Sequence, residues 1–234
     1  MVWRENGQHL DVINGGYSAL ARLTGRVWRL LHSRPFCRPA FTENRMRGFS
    51  DFLASWEDTA HSRNRDVVAL GITPVGNINQ TGELGDYRGH ALSRWHPQFE
   101  ASLEPGIRSL VCLLVRRFNV VTYTSCEGHA YQGLPLKPVE RHVGVLPLTS
   151  EQRVYLQALF ESIGSDINRR YRRGAVRLVT VTHTLDVEAG SRAVLTLFFR
   201  RRRASWASYF RELDQVYRDT LAAFDRVAPS GADE

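Results

Sequence analysis

Reactive side chains are concentrated at one point of this chain. An apolar run ends in four residues of chemical interest: Cys126, Glu127, Gly128 and His129. A second short apolar run, residues 142–146, begins with His142 and follows directly on Arg141. A parallel connection would need a crossover, usually a helix, and the glycines and prolines between the two runs leave no room for one. We therefore predict an antiparallel strand pair that brings these side chains to one rim of the sheet.

Two chemistries make this rim a candidate catalytic site for a hydrolytic or group-transfer reaction. In the first, Cys126 is a nucleophile and His129 or His142 is its base, because a cationic neighbour favours the reactive thiolate. Glu127 would then orient that base. In the second, Cys126, His129 and His142 bind a metal such as zinc. Glu127 would act there on a metal-bound water. The alternative to catalysis is an interaction protein in which the same turn holds a structural metal.

A third chemistry is the binding of an anionic ligand. Backbone amides around Gly128 would bind the anion, and the side chain of Arg141 would add positive charge. Three more histidines are candidate ligand-binding residues, because two lie in an irregular stretch and one lies on a predicted strand: His90, His96 and His183.

The chain is basic, with a formal net charge of +7 and an isoelectric point near 9.8. Two clusters carry much of this charge: Arg169, Arg170, Arg172 and Arg173, and the run Arg200, Arg201, Arg202 and Arg203. Such clusters are typical of proteins that bind nucleic acid, which makes RNA or DNA binding the alternative function. Lys137 is the only lysine, so a compositional preference for arginine also accounts for the charge.

The segment Ser125-Cys126-Glu127-Gly128-His129 resembles a turn of the Tyw3-type wybutosine-synthesising proteins. That family has Ser-Cys-Ser-Gly-Arg after a strand, so Glu127 and His129 depart from its pattern. The resemblance implies a tRNA substrate and S-adenosylmethionine as cofactor.

Hydrophobic periodicity predicts an α+β fold with a mostly antiparallel sheet and helices packed on it. We expect an N-terminal helical extension with an irregular loop over residues 1–100, a core domain over 101–227 and a disordered tail over 228–234. The extension should contain helices over 17–31 and 42–61 and a short strand over 66–72. The core should have the order α-β-β-α-β-β-α, with strands over 120–124, 142–146, 176–182 and 193–199.

Local signals predict where the helices of the core begin and end. Pro105 suits the first turn of a helix, Thr149 with Gln152 forms a capping box, and Ser205 suits the N-cap of the last helix. Gly174 is expected to end the middle helix. The three cysteines are widely spaced, which argues against a disulfide scaffold. Without a signal peptide or an apolar run long enough for a membrane, we expect a cytoplasmic protein with a small-molecule or polyanionic substrate.

Overall fold

The structure, a computed structural model, describes residues 49–60, 92–130, 138–187 and 189–227. The helix predicted over 17–31, the strand predicted over 66–72, His90 and the predicted tail over 228–234 lie outside these ranges. The described residues divide into two compact units. The first contains 49–60, 92–104 and the hairpin segment Thr184–Arg192, and the second contains the remainder from residue 105 onward.

Four helices and four strands make up the described chain, and they confirm the predicted α+β class. In chain order they are α1 (Phe49–Trp56), α2 (Pro105–Arg117), β1 (Val121–Cys126), β2 (His142–Leu146), α3 (Ser150–Arg170), β3 (Val176–Val187), β4 (Gly190–Arg201) and α4 (Trp206–Asp225). From α2 onward the order is α-β-β-α-β-β-α, as the periodicity predicts. The sheet has the strand order β1-β2-β4-β3.

In the first unit, aromatic side chains of α1 form a small core. Trp56 stacks on Phe52 at 6.2 Å between ring centroids and meets the ring of Phe99 edge-on at 5.5 Å. The helix ends at Trp56, before the predicted end at residue 61, because the Asp58 side chain accepts a hydrogen bond from the amide of Ala60, and residues 42–48 of the predicted span lie outside the described ranges. Such local side-chain bonds favour a turn over further helix.

The β1–β2 ladder is antiparallel and places Cys126 directly opposite His142. The register shifts between Thr122 and Thr124, where β1 bulges around Tyr123. Gly144 lies beneath this bulge, and a Cβ atom there would come within 2.7 Å of the Tyr123 ring. Glycine is therefore required at this point of β2, because no other residue leaves room for the tyrosine ring.

The helix starts agree with their predicted caps, with one difference in detail. Thr149 accepts a hydrogen bond from the amide of Gln152, and Ser205 accepts one from the amide of Ser208. The Gln152 side chain accepts from the amide of Leu148 rather than from that of Thr149. The box therefore closes one residue earlier than the usual pattern.

Several element ends in the second half of the chain differ from the prediction, and β1, for example, ends at Cys126 rather than at residue 124. Helix α3 ends at Arg170, before Gly174, because the chain turns at Tyr171. Strand β3 continues past residue 182, and Leu185 and Val187 remain buried while Thr184 and Asp186 are exposed. This alternation has the period of a strand, and β4 lengthens with it. None of the helices in the described ranges is both long and apolar enough to cross a membrane.

Helix α4 is joined to the sheet by the hydroxyl of Tyr209, which is fully buried. This hydroxyl donates to the carbonyl of Phe199 at 2.8 Å and accepts from the amide of Arg141 at 2.9 Å. On the same side of the sheet, the Phe199 ring packs against Tyr217 of α4 at 5.9 Å. Tyr209 thus connects the residue that precedes β2 with the end of β4, next to the predicted rim.

Candidate functional site

The antiparallel pairing of β1 and β2 brings Cys126 and His142 side by side, as the sequence predicts. Both residues are buried: Cys126 has no exposed surface and His142 exposes 2%. The His142 ring packs against Phe198 at 5.3 Å between centroids, and its Nδ1 lies 3.2 Å from the carbonyl oxygen of Glu140. His142 therefore belongs to a packed face of the sheet.

His129 is the histidine that approaches the thiol. The Cys126 Sγ and a ring nitrogen of His129 lie within 4.8 Å of each other. His129 is half-buried, so the pair extends from the interior toward the surface. It is held in place by an isolated antiparallel bridge to Val139, with hydrogen bonds of 3.0 and 2.9 Å in the two directions.

Gly128 makes the turn between the two side chains possible. Its φ is +84°, a left-handed conformation that side chains rarely tolerate. A Cβ atom there would come within 3.0 Å of the backbone nitrogen of Arg141 and 3.2 Å of the carbonyl of Val139. In this conformation the Gly128 amide donates to the Cys126 Sγ at 3.4 Å. Gly128 therefore allows the chain to turn and also donates a hydrogen bond to the Cys126 sulfur.

The carboxylate of Glu127 is engaged at the start of helix α2. Its Oε2 accepts a hydrogen bond of 2.7 Å from the amide of Gly106. A helix N-terminus favours negative charge, because its first amides lack partners within the helix. The negative charge at the start of α2 is therefore supplied by the Glu127 side chain itself. The hydrogen bond to Gly106 directs the Glu127 carboxylate toward α2. Its predicted roles, orienting a catalytic base or acting on a metal-bound water, stay predictions.

Arg141 is buried beside this carboxylate, with only 6% of its side chain exposed. Its Nε donates to the backbone carbonyl of Glu127 at 2.7 Å, and its Nη2 donates to Asp214 at 2.9 Å. The guanidinium also lies over the ring of Tyr217 at 4.7 Å. Its Nη1 has no hydrogen-bond partner among the described residues. Arg141 thus fastens the turn to α4, which is a positioning role.

The other predicted histidines lie away from this pair or outside the described residues. His183 lies within β3 rather than at its end and is half-buried. Burial, together with the positive charge of Arg200, lowers the pKa of His183 to about 4, so the ring is neutral at physiological pH. His96 belongs to the first unit, where its Nδ1 accepts from the amide of Gln98 at 3.0 Å.

The two basic clusters differ in how many of their side chains contact neighbouring residues. Arg200 forms an ion pair of 2.9 Å with Glu140 and lies over the Phe198 ring at 4.2 Å. Arg201 lies over the Trp206 ring at 4.6 Å, and Arg202 donates to the carbonyl of Val176 at 3.3 Å. These three side chains hold the end of β4 in place. Arg203 is exposed.

The first cluster, in contrast, faces one open space. An open cavity of about 390 Å³ is lined by Arg169, Arg170, Arg172 and Arg173. It lies at the C-terminal end of α3. The structure therefore assembles this cluster as a concave surface, whereas three of the four side chains in the run that begins at Arg200 are half-buried and contact neighbouring groups.

Several residues that build the rim were missed by the sequence prediction. Tyr209 and Asp214 both bond to Arg141, although they lie 68 and 73 residues further along the chain. Glu140 was also missed: its carboxylate accepts from the Arg201 amide at 2.6 Å and pairs with Arg200. A glutamate directly before two predicted rim residues is the one local signal that pointed to such a role.

Comparisons with known proteins do not assign the chain to a family. The resemblance of the turn to the Tyw3-type proteins therefore stays a prediction. No protein-family model matches the chain, and no curated protein or solved structure is similar to it.

Proposed function

We propose that the protein is a metal-assisted hydrolase or group-transfer enzyme in which Cys126 and His129 bind the metal ion. The observation that carries this proposal is the distance of at most 4.8 Å between the Cys126 Sγ and a His129 ring nitrogen. A thiolate and an imidazole that bind one zinc ion are separated by less than this, since Zn–S is about 2.3 Å and Zn–N about 2.0–2.1 Å. Small movements of the two side chains suffice to share an ion.

The burial of the thiol favours a metal ligand over a nucleophile. Cys126 has no exposed surface, whereas a reactive cysteine has to meet its substrate. Metal ligands are commonly enclosed by protein, and hydrogen bonds to a ligating sulfur tune the site. The Gly128 amide supplies such a bond to Cys126.

The surroundings of the pair keep the two ligands at a fixed separation. The bridge to Val139 holds the backbone of His129, and the Glu127 carboxylate ties the turn to Gly106 at the start of α2. Arg141 adds a bond to the Glu127 carbonyl. Catalytic and binding groups need this kind of support, because a site that is loose by an ångström loses much of its efficiency.

Substrate would approach from the side of His129, the more exposed of the two ligands. A bound metal ion supplies Lewis acidity and lowers the pKa of a coordinated water. His129 would hold the ion near the surface while Cys126 secures it from within. His142 stays outside this ligand pair in the proposal, because its ring packs against Phe198.

Metal analysis tests the proposal directly. We expect the purified protein to contain a stoichiometric transition metal, and the Cys126→Ser and His129→Gln proteins to lose it. Substitution with Co²⁺ should produce a sulfur-to-cobalt charge-transfer absorption that is missing from Cys126→Ser. Cys112→Ser is the matched control, because Cys112 is also a buried cysteine outside any disulfide in the second unit. This variant should keep both the metal and the absorption.

Activity separates a catalytic ion from a structural one. The metal-loaded protein would be assayed on a panel of carboxylic and phosphoric esters, with and without a chelator. Turnover that is lost when the metal is removed and restored when it is added back supports the proposed metal-assisted enzyme. A metal-free protein with turnover that depends on Cys126 would instead indicate the nucleophile. A tightly bound ion without turnover of any ester would favour the non-catalytic protein with a structural metal.

A further inference from the structure

We propose that the four-arginine groove at the end of α3 binds the phosphodiester backbone of a nucleic acid. The groove is defined by Arg169, Arg170, Arg172 and Arg173, which line one open cavity of about 390 Å³. This binding surface is separate in the chain from the Cys126 and His129 pair, and the inference does not depend on a metal there.

Part of this charge has an ordinary structural explanation. Basic side chains in the last turn of a helix offset the partial negative charge of its carbonyl groups. Arg169 and Arg170 lie in that last turn, and both pair with the carboxylate of Asp166, at 3.1 and 2.5 Å. One carboxylate therefore serves two guanidinium groups.

The other two arginines lack that explanation. Arg172 and Arg173 follow the helix end, are exposed, and form no ion pair with any residue that the structure describes. The two carboxylates next to this turn do not pair with them either: Glu212 accepts from the amide of Ala175 at 2.8 Å, and Asp219 accepts from the hydroxyl of Tyr171 at 2.8 Å. Within the described ranges, the guanidinium groups of Arg172 and Arg173 therefore form no ion pair, which leaves them available to an anionic ligand.

The fold extends this basic surface from the groove to the end of β4. The amide of Arg202 donates to the carbonyl of Ala175 at 2.8 Å, so the residues after α3 and the residues after β4 run side by side. Arg203, the exposed member of its run, comes next in the chain. The two clusters, which the sequence separates, thus meet at one end of the sheet. Arg203 adds an exposed charge there, while Arg200, Arg201 and Arg202 are half-buried and contact neighbouring groups.

The composition of the groove indicates what it binds. Sites for small molecules are mostly apolar with a few polar groups that fix orientation, but the described residues that line this groove are all arginines. Guanidinium groups pair with phosphate through two parallel hydrogen bonds. A series of such groups suits a ligand with repeated phosphates, and neutralisation of backbone phosphates drives sequence-independent binding of nucleic acid.

The test measures binding of labelled single-stranded RNA and single-stranded DNA by fluorescence anisotropy over a series of salt concentrations. We expect Arg172→Glu/Arg173→Glu to bind at least about tenfold more weakly than the unaltered protein. The slope of log affinity against log salt should also become shallower by about 0.7 for each phosphate that the variant no longer neutralises. Arg153→Glu/Arg226→Glu is the matched control, because it makes the same charge change at the first turn of α3 and the end of α4.

The outcomes separate the possible ligands. Near-normal binding by the control together with weaker binding by the groove variant supports the proposal, for RNA, DNA or both. An equal decrease in both variants would show that bulk charge is responsible and would overturn it. Binding to inorganic polyphosphate or anionic vesicles, but to neither nucleic acid, would also overturn it. Should circular dichroism show that the charge reversal unfolds the protein, Arg172→Gln/Arg173→Gln carries the same comparison.

Discussion

Cys126 and His142 are direct partners across the β1–β2 ladder, yet their side chains engage different neighbours. The Cys126 sulfur receives a hydrogen bond from Gly128 and lies within 4.8 Å of a His129 ring nitrogen. The His142 ring packs against Phe198 instead, with the two rings tilted at 39° to each other. Backbone pairing therefore predicts which residues are adjacent but leaves open which side chains act together.

This difference predicts separate consequences for the two histidines. His142→Leu keeps an apolar group against Phe198, so the variant should fold and retain its metal, whereas His129→Leu should release the metal without a comparable change in packing. Metal content and thermal unfolding of the two purified variants check this directly. If His142→Leu released the metal as completely as His129→Leu, then His142 would have to be added to the ligands.

The hydroxyl of Tyr209 should contribute strongly to stability. Tyr209→Phe would leave the buried amide of Arg141 and the carbonyl of Phe199 without their bonds to this hydroxyl. An unsatisfied buried group costs about 1–3 kcal/mol, so we expect the free energy of unfolding to decrease by about 2–6 kcal/mol, since two such groups are left. Urea denaturation measures it.

Tyr171→Phe provides the control for that experiment. The Tyr171 hydroxyl donates to Asp219 at 2.8 Å, and both residues are half-buried, so water can replace the missing bond. Its removal should cost less than about 1 kcal/mol. Similar decreases in the two variants would contradict the special position of Tyr209 between the start of β2 and the end of β4.

Stability should decrease in acid because of His183. Its pKa in the folded protein is about 4, below the ordinary value of 6.5, owing first to burial and then to the charge of Arg200. Between these two values the unfolded chain binds more protons than the folded protein. The contribution of His183 is therefore complete above about pH 6.5 and is lost as the pH falls toward 4.

The expected size of this effect is about 1–2 kcal/mol, because solvent screens a half-buried ring and reduces what the pKa difference alone would give. Urea midpoints of the unaltered protein and of His183→Asn, compared across this pH range, isolate it. The variant should show a weaker decline than the unaltered protein. Parallel curves for the two proteins would show that other groups cause the acid sensitivity.

Local patterns determined the order and type of the elements in the second unit. The strand over residues 142–146 and the N-caps Thr149 and Ser205 follow from side-chain period and capping chemistry, which depend on neighbours only a few residues away. The antiparallel pairing of β1 with β2 follows equally from a linker that is too rich in glycine and proline to hold a crossover helix.

Tertiary structure alone decided what each side chain of the rim contacts. The sequence places Glu127 beside Cys126, but in the fold the Glu127 carboxylate bonds to Gly106. The fold also joins Arg141 to Tyr209 and Asp214 of α4. The fold likewise gathers four arginines around one groove, Arg169, Arg170, Arg172 and Arg173. It places the Arg200 guanidinium over the Phe198 ring. The partners of the rim lie far apart in the chain, so they are selected by how helices pack on the sheet, which no local pattern encodes.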